Sequence, residues 1–188
     1  MEPMNDVRTE QIQPTHSIAP MIMRHLPSMP ALLGKAAFKS GSYQIGDPLP
    51  GLSAQVNGLM IDAQHLAAYK ELCGFAPEGN LPATYLHMLA FPLFLQILTQ
   101  QDFPIRAMGQ VHLRNQISVL KSFDIKQPIS MTAAVGGSEL TSRGLEWDIR
   151  VIASIDDQTL WSSNSTFLHR CKTEIKQKRR SVNGREGE

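Results

Sequence analysis

The stretch that decides the fold is LPATYLHMLAFPLFLQIL, residues 81–98, the most apolar segment of the chain. Pro82 favours an extended residue before it, whereas Pro92 fits best as the first residue of a helix, where its missing N–H would be unpaired anyway. The sequence therefore predicts a helix over residues 92–101. Because this helix carries apolar side chains on nearly every side, other segments must wrap around it.

The segments able to wrap the helix lie mainly downstream, where apolar and polar residues alternate. In residues 111–119 this alternation puts His112 on the outward face. Gly136 and Gly137 indicate a turn or bulge, and residues 156–158 indicate a hairpin turn. The predicted strands are residues 54–61, 111–119, 129–135, 145–155 and 160–170.

A short amphipathic helix precedes the central one. Asp62 is a typical N-cap for it and Gly74 a typical C-terminal stop. Leu66, Tyr69 and Leu72 recur at three-residue spacing on the face predicted to be buried. The order of strand, short helix, central helix and antiparallel meander indicates an α+β fold, in which a single antiparallel sheet wraps one central helix in the hotdog arrangement.

The 188 residues, 42% of them hydrophobic, suit one globular domain with loosely held ends. Residues 1–17 are predicted to be a disordered lead and residues 172–188 a basic flexible tail. Residues 18–51 are an apolar extension expected to pack on the domain's own sheet, with docking of a partner or a membrane face as the alternative. The hotdog domain is predicted to occupy residues 52–171.

Charge and cysteine content narrow the functional classes. With 18 basic and 17 acidic residues, the net charge of +1 gives no general case for nucleic-acid binding. Cys73 and Cys171 show no spacing typical of zinc sites or disulfide frameworks. Neither an apolar run of membrane-spanning length nor the basic-then-apolar pattern of an export signal is present. We expect a cytoplasmic protein without a metal, a cofactor or a membrane span.

Five stretches resemble the MaoC-like dehydratase group, which includes (R)-specific enoyl hydratases and 3-hydroxyacyl-thioester dehydratases. They are AAY to CG (67–74), PATYLH to FPL (82–93), GQVH (109–112), QPI (127–129) and TFLHR (166–170). The resemblance covers roughly residues 52–171 and is strongest to the amino-terminal hotdog of two-hotdog dehydratases. It implies a fatty-acid-metabolism protein whose ligand is an acyl-CoA or acyl-carrier-protein thioester, with the acyl chain beside the central helix.

The chemistry of this group uses the pattern Asp-x-Asn-x-x-His just after the short helix, where the carboxylate and the histidine add or remove water. The corresponding stretch here is GFAPEGN, residues 74–80. Phe75 stands where the aspartate would be and Asn80 near the place of the histidine. Two hypotheses follow: a hydro-lyase component, or a non-catalytic hotdog that completes the substrate tunnel of a partner. A thioesterase on this fold would need a carboxylate on the central helix, and residues 92–101 contain none.

Three residues are candidates for catalysis. His87 is a possible general base or hydrogen-bond donor, with a buried histidine bonded to the backbone as the alternative. Tyr85 could face the thioester or cap the edge of the core. Glu78 could form a substitute dyad with His87, although Pro77 and Gly79 indicate an exposed turn.

The substrate is expected to lie at the start of the central helix, where unpaired backbone N–H groups near Phe91 and Leu93 would face the thioester oxygen. His112 is expected at the surface or at a dimer interface. Because one hotdog leaves an open sheet edge, we expect a homodimer, or a heterodimer with a second hotdog. The predicted substrate-binding residues are Leu89, Phe91, Pro92, Leu93, Phe94 and Leu98.

Overall fold

A computed structural model describes residues 19–174, within which the chain forms three helices and six strands. In chain order these are β1 (Met21–Met23), α1 (Met29–Phe38), β2 (Ser53–Leu59), α2 (Ala63–Cys73), α3 (Ala83–Leu98), β3 (Val111–Val119), β4 (Ile129–Thr141), β5 (Gly144–Ile155) and β6 (Gln158–His169). The strands form one sheet in the order β1-β2-β4-β5-β6-β3. The predicted α+β architecture, with a sheet packed around the central helix α3, is confirmed. The predicted lead and most of the predicted tail lie outside the described residues.

The central helix α3 begins at Ala83 and not at Pro92, so the predicted start was wrong. Pro92 lies inside the helix, where it cannot donate to the carbonyl of Met88, and such an interior proline costs about 3 kcal/mol. The helix continues through it because Leu86, Ala90 and Leu93 are buried on both sides of the proline. Tertiary packing thus offsets the local preference of proline for a helix start.

The meander β4–β5–β6 follows the predicted alternation. A change of register between Val135 and Ser138 confirms the bulge expected at the glycine pair. Asp156 and Asp157 have φ values of 46° and 60°, as the two-residue turn of a hairpin requires. The inner face of β4 and β5 is apolar and buried, and its residues are Ile129, Met131, Ala133, Val135, Leu145, Trp147, Ile149, Val151 and Ala153.

Strand β3 lies at the edge of the sheet and carries a bulge that the alternation does not reveal. His112 is paired with Phe167 of β6 and Arg114 with Thr166, so Leu113 is the extra residue. One inserted residue reverses the face to which the neighbouring side chains point. His112 therefore lies on the inner face, against the ring of Phe167 at 4.8 Å. The predicted outward face of His112 was wrong, but its predicted position at the surface is confirmed, because the residue is exposed.

The amino-terminal segment adds an element that the sequence did not predict. Residues 21–23 form β1, which pairs with β2 in parallel, so the sheet is not wholly antiparallel. Helix α1 contacts α3 and buries Leu32 and Ala36. No helix within residues 19–174 is both long and apolar enough to cross a membrane.

Candidate functional site

The first turns of α3 lie against the inner face of the two strands at the sheet edge, β6 and β3. The indole Nε1 of Trp161 donates to the carbonyl of Ala83 at 2.8 Å. Further along, Ser163 Oγ and His87 Nδ1 lie 3.5 Å apart. These two contacts place the start of α3 beside β6. We call the cavity at this helix start, together with the adjoining His87 side chain, the edge groove.

A cavity of about 340 Å³ opens at the amino-terminal end of the edge groove. Ala83 and Leu86 line it, and His87 follows on the same helix face because residues three and four apart are neighbours. The cavity wall is mostly apolar and includes one cation, Lys121, and one acid, Asp124. Its lining residues are Gly79, Asn80, Leu81, Pro82, Ala83, Leu86, Val119, Lys121, Ser122, Phe123, Asp124, Ile125 and Trp161.

His87 is half-buried in the groove between two aromatic neighbours. Its ring meets Phe94 edge-on at 5.6 Å and stacks on His112 at 6.2 Å. Burial lowers the pKa of His87, and the nearby imidazole of His112 lowers it further. A neutral imidazole can both accept and donate one proton, so His87 has the form that acid–base chemistry needs at neutral pH.

Tyr85 does not face the groove. Its side chain is fully buried, and its hydroxyl lies 3.0 Å from Nδ1 of His65 on α2. Burial, with a smaller contribution from the charge of Asp62, raises the pKa of Tyr85 to about 12. The hydroxyl therefore joins α3 to α2. This agrees with the alternative that Tyr85 caps the edge of the core, and not with a hydroxyl that faces the thioester.

Glu78 is not brought to His87. It is exposed in the loop after α2, and within the described chain its side chain makes no hydrogen bond or ion pair. The loop is held by Lys70, whose Nζ donates to the carbonyls of Pro77 at 3.0 Å and Gly79 at 3.2 Å. These bonds allow Lys70 to be buried. On the same helix, Leu72 was predicted on the buried face but is 87% exposed.

The predicted substrate-binding residues divide into two groups. Phe91 is 43% exposed and Leu89 is half-buried, so both are accessible from outside the core. The N–H groups of Phe91 and Leu93 are not at a helix start; in a helix interior such groups bond to carbonyls one turn earlier. The first-turn donors belong instead to Ala83 and Thr84. The remaining predicted contacts are buried in the core: Pro92, Leu93, Phe94 and Leu98.

Sequence reasoning missed that Asn115, Ser163 and Ser165 lie on the inner sheet face together with His112. The alternation in β6, where every second residue from Trp161 shares one face, could have located the two serines. Cys73 and Cys171 are free thiols. In residues 19–174, no three His, Cys, Asp or Glu side chains come close enough together to hold a metal ion.

Comparison with known proteins bears on the identity of this fold. No family model matches the chain. It is 30% identical over 129 residues to 3-hydroxyacyl-thioester dehydratase X of Mycobacterium tuberculosis. The aligned region covers 69% of this chain and 46% of that protein. A crystal structure of HtdX from the same organism matches with a TM-score of 0.58 at 29% identity, over 63% of this chain and 51% of that one. The chain is a relative of the MaoC-like hotdog dehydratases.

The hotdog fold and the resemblance seen in the sequence are thereby confirmed. The C-terminally truncated HadBC complex of M. tuberculosis, a (3R)-hydroxyacyl-ACP dehydratase, matches with a TM-score of 0.54 at 10% identity. That match covers 66% of this chain and 100% of the other, and it shows the fold alone. The chain spans about half the length of the curated relative that it matches.

Proposed function

We propose that this chain is one hotdog of a two-hotdog dehydratase of fatty-acid metabolism, which acts on 3-hydroxyacyl or enoyl thioesters. The observation that carries the proposal is the edge groove, a cavity of about 340 Å³ at the start of α3 beside the half-buried imidazole of His87. The relationship to 3-hydroxyacyl-thioester dehydratase X supports the reaction class. That relative is about twice as long as the matched region, which supports a second hotdog as the partner.

In this proposal the thioester carbonyl lies at the start of α3. The N–H groups of Ala83 and Thr84 are the first of the helix, and a helix start favours the partial negative charge of a polarised carbonyl oxygen. Lys121 lines the same cavity and can attract the phosphates that CoA and the acyl-carrier-protein arm both carry. The acyl chain then passes His87 towards Phe91.

His87 is the residue of this chain closest to a catalytic role. Dehydration removes a proton from the carbon beside the thioester carbonyl and expels the hydroxyl of the next carbon as water. A neutral imidazole at the groove wall can take the proton or donate one to the leaving oxygen. Since Phe75 and Asn80 replace the usual dyad, the other acid–base group would come from the partner hotdog.

The partner would cover the sheet edge formed by β3. An edge strand offers unpaired N–H and C=O groups for another strand to pair with. Val119 and Leu120 are exposed apolar residues at the end of this edge strand, and Phe91 of α3 is exposed as well. Covering them would close the open side of the groove and turn it into a tunnel, in a homodimer or a heterodimer.

The second candidate is a non-catalytic hotdog that binds acyl thioester and completes the tunnel of its partner. The observation that favours it is the absence of any carboxylate on α3, which carries no Asp or Glu from Ala83 to Leu98. The same absence argues against a thioesterase on this fold. In the first candidate His87 transfers a proton during the reaction, whereas in the second it has no catalytic role.

A hydration assay with crotonyl-CoA separates these candidates. The purified chain alone should show no turnover, and the complex with its hotdog partner should be active. In that complex His87→Ala should lower kcat by about a hundredfold or more if His87 takes part in proton transfer. An unchanged kcat with a raised KM would assign the chain to binding alone. If neither the chain nor any complex isolated with it binds or hydrates an acyl thioester, the proposed function is wrong.

A further inference from the structure

A second cavity adjoins the edge groove, between residues 121–127 and the hairpin that joins β5 to β6. We call it the side cavity. Its volume is about 450 Å³. Residues 121–123 line both the side cavity and the cavity at the start of α3, so the two cavities meet at this segment. Lys121 and Ser122 are exposed, which leaves the passage over the segment accessible from solvent.

Backbone hydrogen bonds fix the walls of the side cavity. The N–H groups of Leu120 and Lys121 both donate to the carbonyl of Leu160, at 2.8 and 3.1 Å. The N–H of Gln127 donates to the carbonyl of Asp124 at 2.9 Å and closes a turn at the other end of the loop. The opposite wall is the tight hairpin between β5 and β6. The cavity is therefore formed before a ligand arrives, and binding does not have to order its walls.

The side cavity has an apolar floor and a polar rim. Phe123, Ile155 and Leu160 form the floor; Leu160 is buried, and the other two are half-buried against the core. Gln127 and Gln158 stand at the rim, where both are exposed. Within the described chain neither side-chain amide forms a hydrogen bond. Each amide therefore keeps its N–H donors and its carbonyl acceptor for a ligand.

The formal charges that line the side cavity cancel. Among its described residues, Lys121 is the one cation and Asp156 the one acid. One cation suits the phosphate that ends the arm of CoA and of acyl carrier protein, but the nucleotide of CoA carries further phosphates for which the cavity offers no cation. An uncharged ligand with peptide-like amides matches the rim better, because such an amide needs one donor and one acceptor and each glutamine offers both.

Three features follow one another along β6. Gln158 and Leu160 line the side cavity, Trp161 lines the cavity at the start of α3, and Ser163 lies beside His87. An acyl chain that runs from the start of α3 towards His87 therefore leaves the side cavity to the other end of the thioester. In CoA and in acyl carrier protein that end carries pantetheine, an uncharged arm with amide groups, a hydroxyl and a branched pair of methyl groups.

We infer that the side cavity binds the pantetheine arm of the acyl thioester, with the amides of the arm on Gln127 and Gln158 and its methyl groups on Phe123. The inference rests on the proposed function, because that function places the thioester at the start of α3. CoA and acyl carrier protein both supply this arm. The cavity thus recognises the chemistry that the two carriers share, and neither the nucleotide nor the surface of the carrier protein.

Calorimetric titration of the full chain with octanoyl thioesters of N-acetylcysteamine, which lacks most of the arm, of pantetheine and of CoA tests the inference. The pantetheine thioester should bind about tenfold more tightly than the N-acetylcysteamine thioester, the effect of one or two hydrogen bonds. Octanoyl-CoA should bind within about threefold of the pantetheine thioester, since one exposed cation adds little. Replacing both rim glutamines, in Gln127→Ala/Gln158→Ala, should reduce the tenfold preference to within about twofold. The affinity for the N-acetylcysteamine thioester should stay the same.

Gln116→Ala is the matched control, because Gln116 is an exposed glutamine of β3 that lines neither cavity. It should keep the full preference for the pantetheine thioester. Octanoyl-CoA and octanoyl carrier protein distinguish the two sources of the arm. Both should lose the same factor of affinity in the double variant, because both carry pantetheine.

Several results would overturn the inference and leave the proposed function intact. One is equal affinity of the wild-type chain for the pantetheine and N-acetylcysteamine thioesters, and another is a preference that survives in the double variant. A loss confined to octanoyl-CoA would assign the side cavity to the nucleotide, and a loss confined to the carrier protein would assign it to the protein surface. No binding of any probe would refute the proposed function, and the inference with it.

Discussion

Two neighbouring strands, β5 and β6, bury their inner faces equally but with side chains of different chemistry. They are paired residue by residue, with Ile149 opposite Ser165 and Val151 opposite Ser163. All four side chains face α3 and all are buried. On β5 that burial is apolar, whereas on β6 it encloses hydroxyl groups. Equal burial is therefore reached in two ways: β5 buries apolar side chains, and β6 buries hydroxyl groups that are hydrogen-bonded to their neighbours.

The largest expected effect tests the β5 side of this comparison. Ile149→Ala removes apolar atoms from a fully buried site and leaves a cavity that its neighbours fill only partly. The free energy of unfolding should fall by about 2–5 kcal/mol. Denaturant titration of both proteins, followed by tryptophan fluorescence, measures this difference. A change below about 0.5 kcal/mol would mean that the core lies elsewhere.

Local signals made much of the fold predictable. The N-cap Asp62 accepts bonds from the N–H groups of Gln64 and His65, and Gly74 has the left-handed conformation of a helix end. Residue types alone predict both features. The hairpin at 156–157 and the alternation of β5 were equally visible, because each depends on neighbours in the sequence.

The errors arose where distant contacts outweigh local preference. Pro92 favours a helix start, yet packing against the sheet extends α3 back to Ala83, so Phe91 and Leu93 lie in its middle. In β3 a single bulged residue moved His112 to the inner face, and alternation cannot reveal a bulge that no glycine marks. The same limits applied to the site: the sequence indicated His87, but it could not show that Tyr85 is bonded to His65.

The effect of intermediate size concerns His87 and the pH dependence of the free energy of unfolding. Burial holds the pKa of His87 below its ordinary value of 6.5. As the pH falls below about 6.5, the unfolded chain binds a proton at this position before the folded chain does, so the folded state loses stability. The loss ends once the pH is below the folded pKa. Replacing Ile149, which does not titrate, should not alter this dependence.

The measurement is the denaturant midpoint at pH 7.5 and at pH 5.5 for wild type and for His87→Gln. Both proteins contain the other histidines, so the comparison isolates the contribution of His87. The midpoint of the wild type should fall more on acidification than that of the variant. An equal decrease of the denaturant midpoint in the two proteins would show that His87 does not lose its proton on folding. The imidazole would then be more hydrated than its burial indicates.

The smallest expected effect concerns Ser165, the partner of Ile149 across the β5–β6 pair. Ser165→Ala removes a fully buried hydroxyl, but the bond that it breaks, to Asn115, is 3.3 Å long, and Asn115 is exposed and can bond to water instead. The free energy of unfolding should therefore change by less than about 0.5 kcal/mol, in either direction. Denaturant titration beside Ile149→Ala makes the contrast direct, since the two side chains are cross-strand neighbours of equal burial. A loss above about 1.5 kcal/mol would show that Ser165 is a structural residue, and that the core extends through β6 to the sheet edge.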